Sequence, residues 1–486
     1  MHARRWLVSV GAVVLIAAGM PGGGVVARQA PAAKAPAGVA AASFPPTDEL
    51  RQLLQARLGD HPGLGIVVGL LDAAGKRTIV TAGSAGEAAK RPLDGDTLFE
   101  IGSVTKVITS ALLAEMAQRG DVSLEDPVAK YLPAGVRVPT RGDRQITLAD
   151  LATHTSGLPR LPGNLDPRDP DNPYADYSAK QMYDFLSSYE LTRDIGAQYE
   201  YSNLGGGLLG HALARRAGAS YEAILTTRVL APLGMRSTGI TLSPALQARM
   251  AVGHTTLGYP TENWDFPTLA GAGALRSTAN DMLTFLAANM AHGTGRLATA
   301  LQKTQVARHD AGAPQPGRPE MHVGLGWHIR KIADGELIWH NGGTYGFHSI
   351  IGFDPKKRTG VVVLHNSGGV IDDIGFHLLD ATIPLAAPKP IKPQLRKEVA
   401  VAADRLAPYA GRYQLSPLAS ITVTVDRGIV CIQLTGQSKV RAYPESETAF
   451  FLKVVDAQIG FTKDASGAVT GLVLHQNGRD VTGKRE

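Results

Sequence analysis

The sequence predicts an α/β protein in two parts: an antiparallel sheet with an adjoining helical region, then a small all-β C-terminal barrel. Three observations predict it. Apolar, strand-like runs lie at both ends of residues 47–385, helical segments fill the stretch between them, and short apolar runs recur after residue 400. Strands from both ends of one unit close into a single sheet most simply when the helices pack beside it.

The first unit opens with Gly65–Leu71, a turn at Ala73–Lys76 and Arg77–Ala82, which read as a β-hairpin. It closes with Gly326–Ile332, a turn at Ala333-Asp334-Gly335, Leu337–His340, and then His348–Phe353 and Thr359–Leu364 around Asp354-Pro355. Between them, Ser103–Arg119 ends before Gly120 and Leu204–Ala217 before Gly218, while Ala279–Met290 follows Ser277 and Thr278 as candidate caps. Each reads as a helix. Beyond residue 400, Ile421–Val425, Ile429–Leu434, Ala449–Lys453, Ile459–Lys463 and Val469–His475 are spaced by roughly ten residues, the signature of a small barrel or sandwich.

Composition sets the outer limits. The chain has 486 residues, 44% of them hydrophobic, with 55 glycines, which excludes a collagen, a coiled coil and a wholly disordered chain. Its formal charge of +6 includes Arg4, Arg5 and Arg28, and no basic stripe interleaved with aromatics follows them. Nucleic acid is therefore not an expected partner. Arg4 and Arg5, the uncharged run Trp6–Ala18 and the small residues Val25-Val26-Ala27 have the layout of a secretory leader. The apolar run is shorter than the ~18 residues of a membrane span. We therefore expect a signal peptide over residues 1–29, an Ala/Pro-rich linker over 30–46, the first domain over 47–385, a Pro-rich linker over 386–400 and the barrel over 401–486. The destination expected is periplasmic or secreted. The sole cysteine, Cys431, lies in an apolar strand-like run and reads as a small buried hydrophobe.

Candidate chemistry starts at Ser103-Val104-Thr105-Lys106, which begins the most apolar helix of the chain. A Ser and a Lys three apart share a helix face. Burial disfavours the ammonium form, so the amine can accept the neighbouring hydroxyl's proton. Taken alone, Ser103 is equally a plain N-cap. Tyr201-Ser202-Asn203 offers a phenol and an amide, and His340-Asn341-Gly342-Gly343 ends a strand with glycines that let a ligand approach the backbone.

In this order the three elements resemble the penicillin-recognising serine hydrolases, in the class C β-lactamase, D-Ala-D-Ala peptidase and D-aminopeptidase branch. Phe99–Lys106 is similar to the nucleophile segment of that family, Leu151-Ala152-Thr153-His154-Thr155-Ser156-Gly157-Leu158-Pro159 to its characteristic loop, and Gly273–Asp281 to a recurrent helix start. Tyr409-Ala410-Gly411-Arg412-Tyr413 resembles the opening of the lipocalin-like β domains that follow some D-aminopeptidase-like members. The resemblance implies a β-lactamase/transpeptidase-like fold and an acyl-enzyme mechanism on β-lactams, D-amino-acid peptides, or small esters and amides. It implies Ser103 as nucleophile, Lys106 as its buried partner and Tyr201 as base or proton relay. Asn203 would hold Lys106 and the substrate amide, and the N–H groups of Ser103 and Gly343 would form the oxyanion hole. His340 and Gly342 would complete the substrate-binding strand. Whether Lys106 or Tyr201 takes the first proton stays open.

One position departs from the family. Many β-lactamases carry Lys-Thr-Gly where this chain has His340-Asn341-Gly342, so a permanent cation is replaced by an imidazole that would gain charge only below its reference pKa of about 6.5. Efficient β-lactam turnover is accordingly not expected, and anionic substrates should bind better toward acid pH. Gly205–Gly210 fits Gly-x-Gly-x-x-Gly but follows no apolar strand, and no phosphate loop or zinc motif is present, so no cofactor or metal is expected. The expected partners are a small-molecule or short-peptide substrate and peptidoglycan. The rival reading is a non-catalytic peptide-binding protein on the same fold.

Overall fold

The computed structural model describes residues 44–87, 91–291, 293–312, 319–388 and 395–486. The expected signal peptide and nearly all of the Ala/Pro linker lie outside these residues, as does the core of the proline-rich break. The chain divides into two compact units, with the division between Gln394 and Leu395.

In the first unit, an eight-stranded antiparallel sheet runs in the order Arg77–Gly83, Gly65–Leu71, Thr359–His365, His348–Asp354, Gly335–Gly343, His328–Ile332, Met321–Val323, His309–Asp310. The early and late strands of this unit meet between the second and third positions of the sheet, where Ile66 stands opposite His365 and Leu71 opposite Gly360. Strands Gly65–Leu71, His348–Asp354 and Thr359–His365 are buried at every residue. Both faces are covered. Val67, Leu71, Ile351, Phe353, Val362 and Leu364 turn to one side, against Met282, Leu283, Phe285 and Leu286 of the helix Ala279–Met290. Their alternates Ile66, Val68, Leu70, Val361 and Val363 pack on Leu50, Leu54 and Leu58 of the helix Thr47–Leu58 and on Ile374 and Leu379 of Asp372–Leu379. The period-two alternation of a strand supplies both layers from continuous apolar runs.

The helix Thr105–Arg119 is buried from Thr105 to Met116 and stops at Gly120, whose left-handed backbone caps it. The glycine run after Asn203 lies inside the helix Asn203–Ala217 and serves packing. A Cβ at Gly206 would stand 3.0 Å from Lys106 Cε, and one at Gly210 would stand 2.9 Å from the Gly271 backbone.

The second unit holds a closed barrel of eight strands, each paired with its neighbour in sequence, and Gly411–Ser416 closes it against Arg479–Arg485. Tyr413, Ile421, Val423, Val430, Ile432, Phe450, Ile459, Phe461, Leu472 and Leu474 fill the inside. Cys431, 4% exposed, lies on the strand face opposite Val430 and Ile432.

Candidate active site

Ser103 sits in the tight turn Gly102–Val104 that leads directly into the helix Thr105–Arg119. Lys106 therefore rises on the same face, 3% exposed. Its Nζ lies 3.0 Å from Ser103 Oγ, 2.8 Å from Asn203 Oδ1 and 2.7 Å from the carbonyl oxygen of Ala272. Asn203 is oriented by donating its amide N–H to Tyr174 Oη at 3.1 Å. Two of the three partners of Nζ can only accept. A neutral amine has two N–H groups and one lone pair, so a neutral Lys106 donating to those two acceptors would turn its lone pair to the Ser103 hydroxyl, whereas an ammonium would donate to all three. Burial holds Lys106 well below the ordinary lysine range, and the Arg160 guanidinium pushes the same way.

Tyr201 precedes the helix Asn203–Ala217, whose first turn is capped by the Ser202 hydroxyl. Burial holds its phenol above the ordinary tyrosine value, although a hydrogen bond to Ser103 and the charge of Arg160 oppose the rise. Lys106 Nζ lies 4.8 Å and Arg160 Cζ 5.1 Å from the centre of its ring.

The strand Gly335–Gly343 passes the nucleophile turn at its C-terminal end. Its ladder with His328–Ile332 stops where His328 faces Trp339, so His340–Gly343 run beyond that neighbour. Contact with the turn demands glycine. A Cβ at Gly342 would stand 1.9 Å from the Ile101 carbonyl oxygen and 2.8 Å from Ser103 N. Gly102, at φ 48°, would put a Cβ 2.6 Å from Gly343 N. The backbone of Gly102-Ser103 and that of Gly342-Gly343 are thus in close contact beside the start of the Lys106 helix.

His340 overturns one expectation. It is 1% exposed, its ring stacks on His328 at 4.8 Å, its Nδ1 is hydrogen-bonded to the Asn341 carbonyl and its Nε2 has no partner. Burial, then the proximity of His328 and Lys106, hold its pKa well below 6.5. Burial therefore disfavours the imidazolium, which speaks against the expected charge-driven improvement for anionic substrates. The permanent cation that faces Tyr201 is instead Arg160, which the sequence reading did not single out. Its position directly after the Ser156-Gly157-Leu158-Pro159 loop was the available signal. Nothing local marked the Ala272 carbonyl, because only the tertiary fold brings it to Lys106. Among the described residues, no group of three or more His, Cys, Asp or Glu could hold a metal ion.

With this geometry in hand, comparison with known proteins is specific. The family model described as Beta-lactamase matches residues 50–379, and a domain of unknown function (DUF3471) matches residues 395–485. The D-alanyl-D-alanine-carboxypeptidase/endopeptidase AmpH of Escherichia coli strain K12 is 33% identical over 281 residues, covering 55% of this chain and 71% of that protein. A beta-lactamase of Pseudomonas fluorescens is 28% identical over 325 residues, 60% of this chain and 86% of its own. The crystal structure of a beta-lactamase/D-alanine carboxypeptidase from Yersinia pestis, complexed with citrate, superposes with a TM-score of 0.57 at 27% identity. It covers 69% of this chain and 97% of that one. The chain is a serine hydrolase that belongs to the beta-lactamase family.

Proposed function

We propose that this hydrolase opens amide or ester bonds through an acyl-enzyme on Ser103, with Lys106 as the first base. The observation that carries the reading is the buried Lys106 side chain, its Nζ 3.0 Å from Ser103 Oγ and held there by Asn203 Oδ1 and the Ala272 carbonyl. The amine and the phenol are displaced in opposite directions, Lys106 downward and Tyr201 upward, which favours the amine as proton acceptor and the phenol as donor. In the proposed sequence Lys106 takes the hydroxyl proton while Oγ bonds to the substrate carbonyl carbon. The N–H groups of Ser103 and Gly343 hold the oxyanion. Tyr201 gives its proton to the departing nitrogen or oxygen as that bond breaks, and regains one from the Lys106 ammonium. Asn203 keeps Lys106 in place throughout.

The substrates that fit best are D-amino-acid peptides and small amides or esters. The edge at His340–Gly343 offers backbone groups for an extended acyl chain, and the neutral His340 removes the cation that would favour β-lactam carboxylates there. Export rests on the leader motif in residues 1–29. Among the described residues no helix is long and apolar enough to cross a membrane.

The test is intact-protein mass spectrometry with peptide mapping. The protein is incubated with nitrocefin, a short-chain p-nitrophenyl ester, a D-Ala anilide and a D-Ala-D-Ala peptide, with Ser103→Ala as control. The reading expects an acyl adduct on Ser103 from at least the ester and the anilide, and none in Ser103→Ala. An adduct on a different serine would end it.

A further inference from the structure

His154 belongs to the loop that follows the short helix Leu148–Ala152, and it is 5% exposed. Its backbone is left-handed, φ 59°, which is uncommon for a residue other than glycine and calls for a reason. The reason lies in what it touches. The His154 carbonyl accepts the Glu200 N–H at 2.8 Å, and its Nδ1 accepts the Ser202 N–H at 3.1 Å. These two donors are the chain neighbours of Tyr201 on either side. The imidazole itself lies 4.4 Å from the Tyr201 ring, tilted by 35°. One residue thus grips the phenol-bearing segment at both flanks and along the ring.

We propose that His154 is a positioning residue for Tyr201, fixing the phenol against Ser103 through two flanking hydrogen bonds and a ring contact. The inference rests on the reading of Tyr201 as proton donor to the leaving group. Because a backbone N–H bonds to Nδ1, the imidazole must be neutral and must carry its proton on Nε2. Its surroundings agree: burial, with Lys106, His328 and Arg160 nearby, holds the ring well below its ordinary pKa. A protonated ring would turn an N–H toward the Ser202 N–H and release the clamp.

The experiment uses the full chain with two substrates, a D-alanine p-nitroanilide and p-nitrophenyl acetate. The anilide nitrogen needs a proton to leave, whereas p-nitrophenolate leaves without one. Tyr201→Phe sets the reference and should lower kcat for the anilide more than for the ester. His154→Gly keeps the left-handed backbone and the carbonyl bond but removes Nδ1 and the ring. It should lower kcat for the anilide about tenfold or more with the ester much less affected and KM unchanged. His154→Asn also tolerates the left-handed backbone and puts Oδ1 close to where Nδ1 stands, so it should restore most of the anilide rate. A purely structural loop residue would lower both substrates together. The clamp is overturned if Tyr201→Phe changes the anilide-to-ester ratio while His154→Gly leaves it at the wild-type value, or if His154→Asn is no better than His154→Gly. An unchanged ratio in Tyr201→Phe would remove the underlying reading and the clamp with it.

Discussion

The interiors of the two units differ in kind. The barrel buries apolar side chains, and its two large inward tyrosines have their hydroxyls satisfied: Tyr413 Oη donates to the Tyr409 carbonyl at 2.8 Å and Tyr409 Oη to the Glu447 carbonyl at 2.6 Å. The first unit buries Lys106, His154, His340 and Glu100, and leaves His154 Nε2, His328 Nδ1, His340 Nε2 and Glu100 Oε2 without partners. Burying a titratable group disfavours its charged form, and a fold optimised for stability alone would avoid it. The barrel unit has orphans too, Gln437 Oε1 and Gln476 Oε1, but these are uncharged amide oxygens. Buried titratable groups, rather than orphaned polar atoms in general, gather where the proposed chemistry lies.

The comparison can be broken most sharply at Ser103. Ser103→Ala should lower turnover by about three orders of magnitude or more, with the melting transition within a few degrees of wild type. Calorimetry beside a rate assay reads both. A variant that unfolds would mean that the hydroxyl is structural.

The second test concerns the buried amine. Lys106→Met should abolish acylation, and its stability relative to the wild type should depend on pH in a set direction. The native pKa of Lys106 lies below its unfolded value, near 10.4, so between the two the unfolded chain binds more protons and native stability rises with pH. The penalty for burying Lys106 is full below the native pKa and fades as pH approaches the unfolded one. The wild type should gain on Lys106→Met as pH is raised from neutrality toward 10. A difference independent of pH would show that the ammonium is tolerated in place.

A smaller effect is expected at Arg160. Arg160→Gln removes the permanent cation facing Tyr201 and should raise KM for an anionic substrate several-fold, about the worth of one charge-assisted hydrogen bond, with neutral esters unaffected. In the wild type that KM should be flat between pH 5.5 and 8.5, because burial disfavours a charge on His340. Improvement toward acid would return the role to His340.

The smallest effect on activity should come from the barrel. Phe461→Ala empties part of its core and should cost about 3–5 kcal/mol in that unit. Ser103 labelling should persist, since the first unit has its own core. Loss of labelling on melting the barrel would show that the two units depend on each other.

The fold was legible where hydrophobic periodicity was strong. Ala279–Met290 and Ile429–Leu434 have the bounds that their sequences suggest, and Gly65–Leu71 does as well. Several strands escaped notice for lack of an apolar run, Gly411–Ser416 of the barrel among them. His309–Asp310 and Met321–Val323 are short polar strands at the sheet's edge, and Val440–Pro444 is interrupted by Arg441. Arg479–Arg485 offers only Val481 and Gly483 among charged and polar residues. In the site, Ser103 and Lys106 could be paired from their spacing because a turn running directly into one helix carries both. Tyr201, Asn203 and Gly343 needed the family resemblance, since nothing local says that they meet. The lowered pKa of His340 could not be read at all: it depends first on burial and then on His328, which arrives from the neighbouring strand. Local spacing carries helix partners, whereas ionisation states belong to the tertiary structure.

In the proposed mechanism Lys106 is an amine, not an ammonium, when Ser103 reacts. The most direct measurement is the pre-steady-state rate of Ser103 acylation by p-nitrophenyl acetate as a function of pH. Acylation should show an acid limb whose midpoint lies well below the ordinary lysine value. A rate that kept climbing to about pH 10.4, as an unperturbed lysine requires, would contradict it.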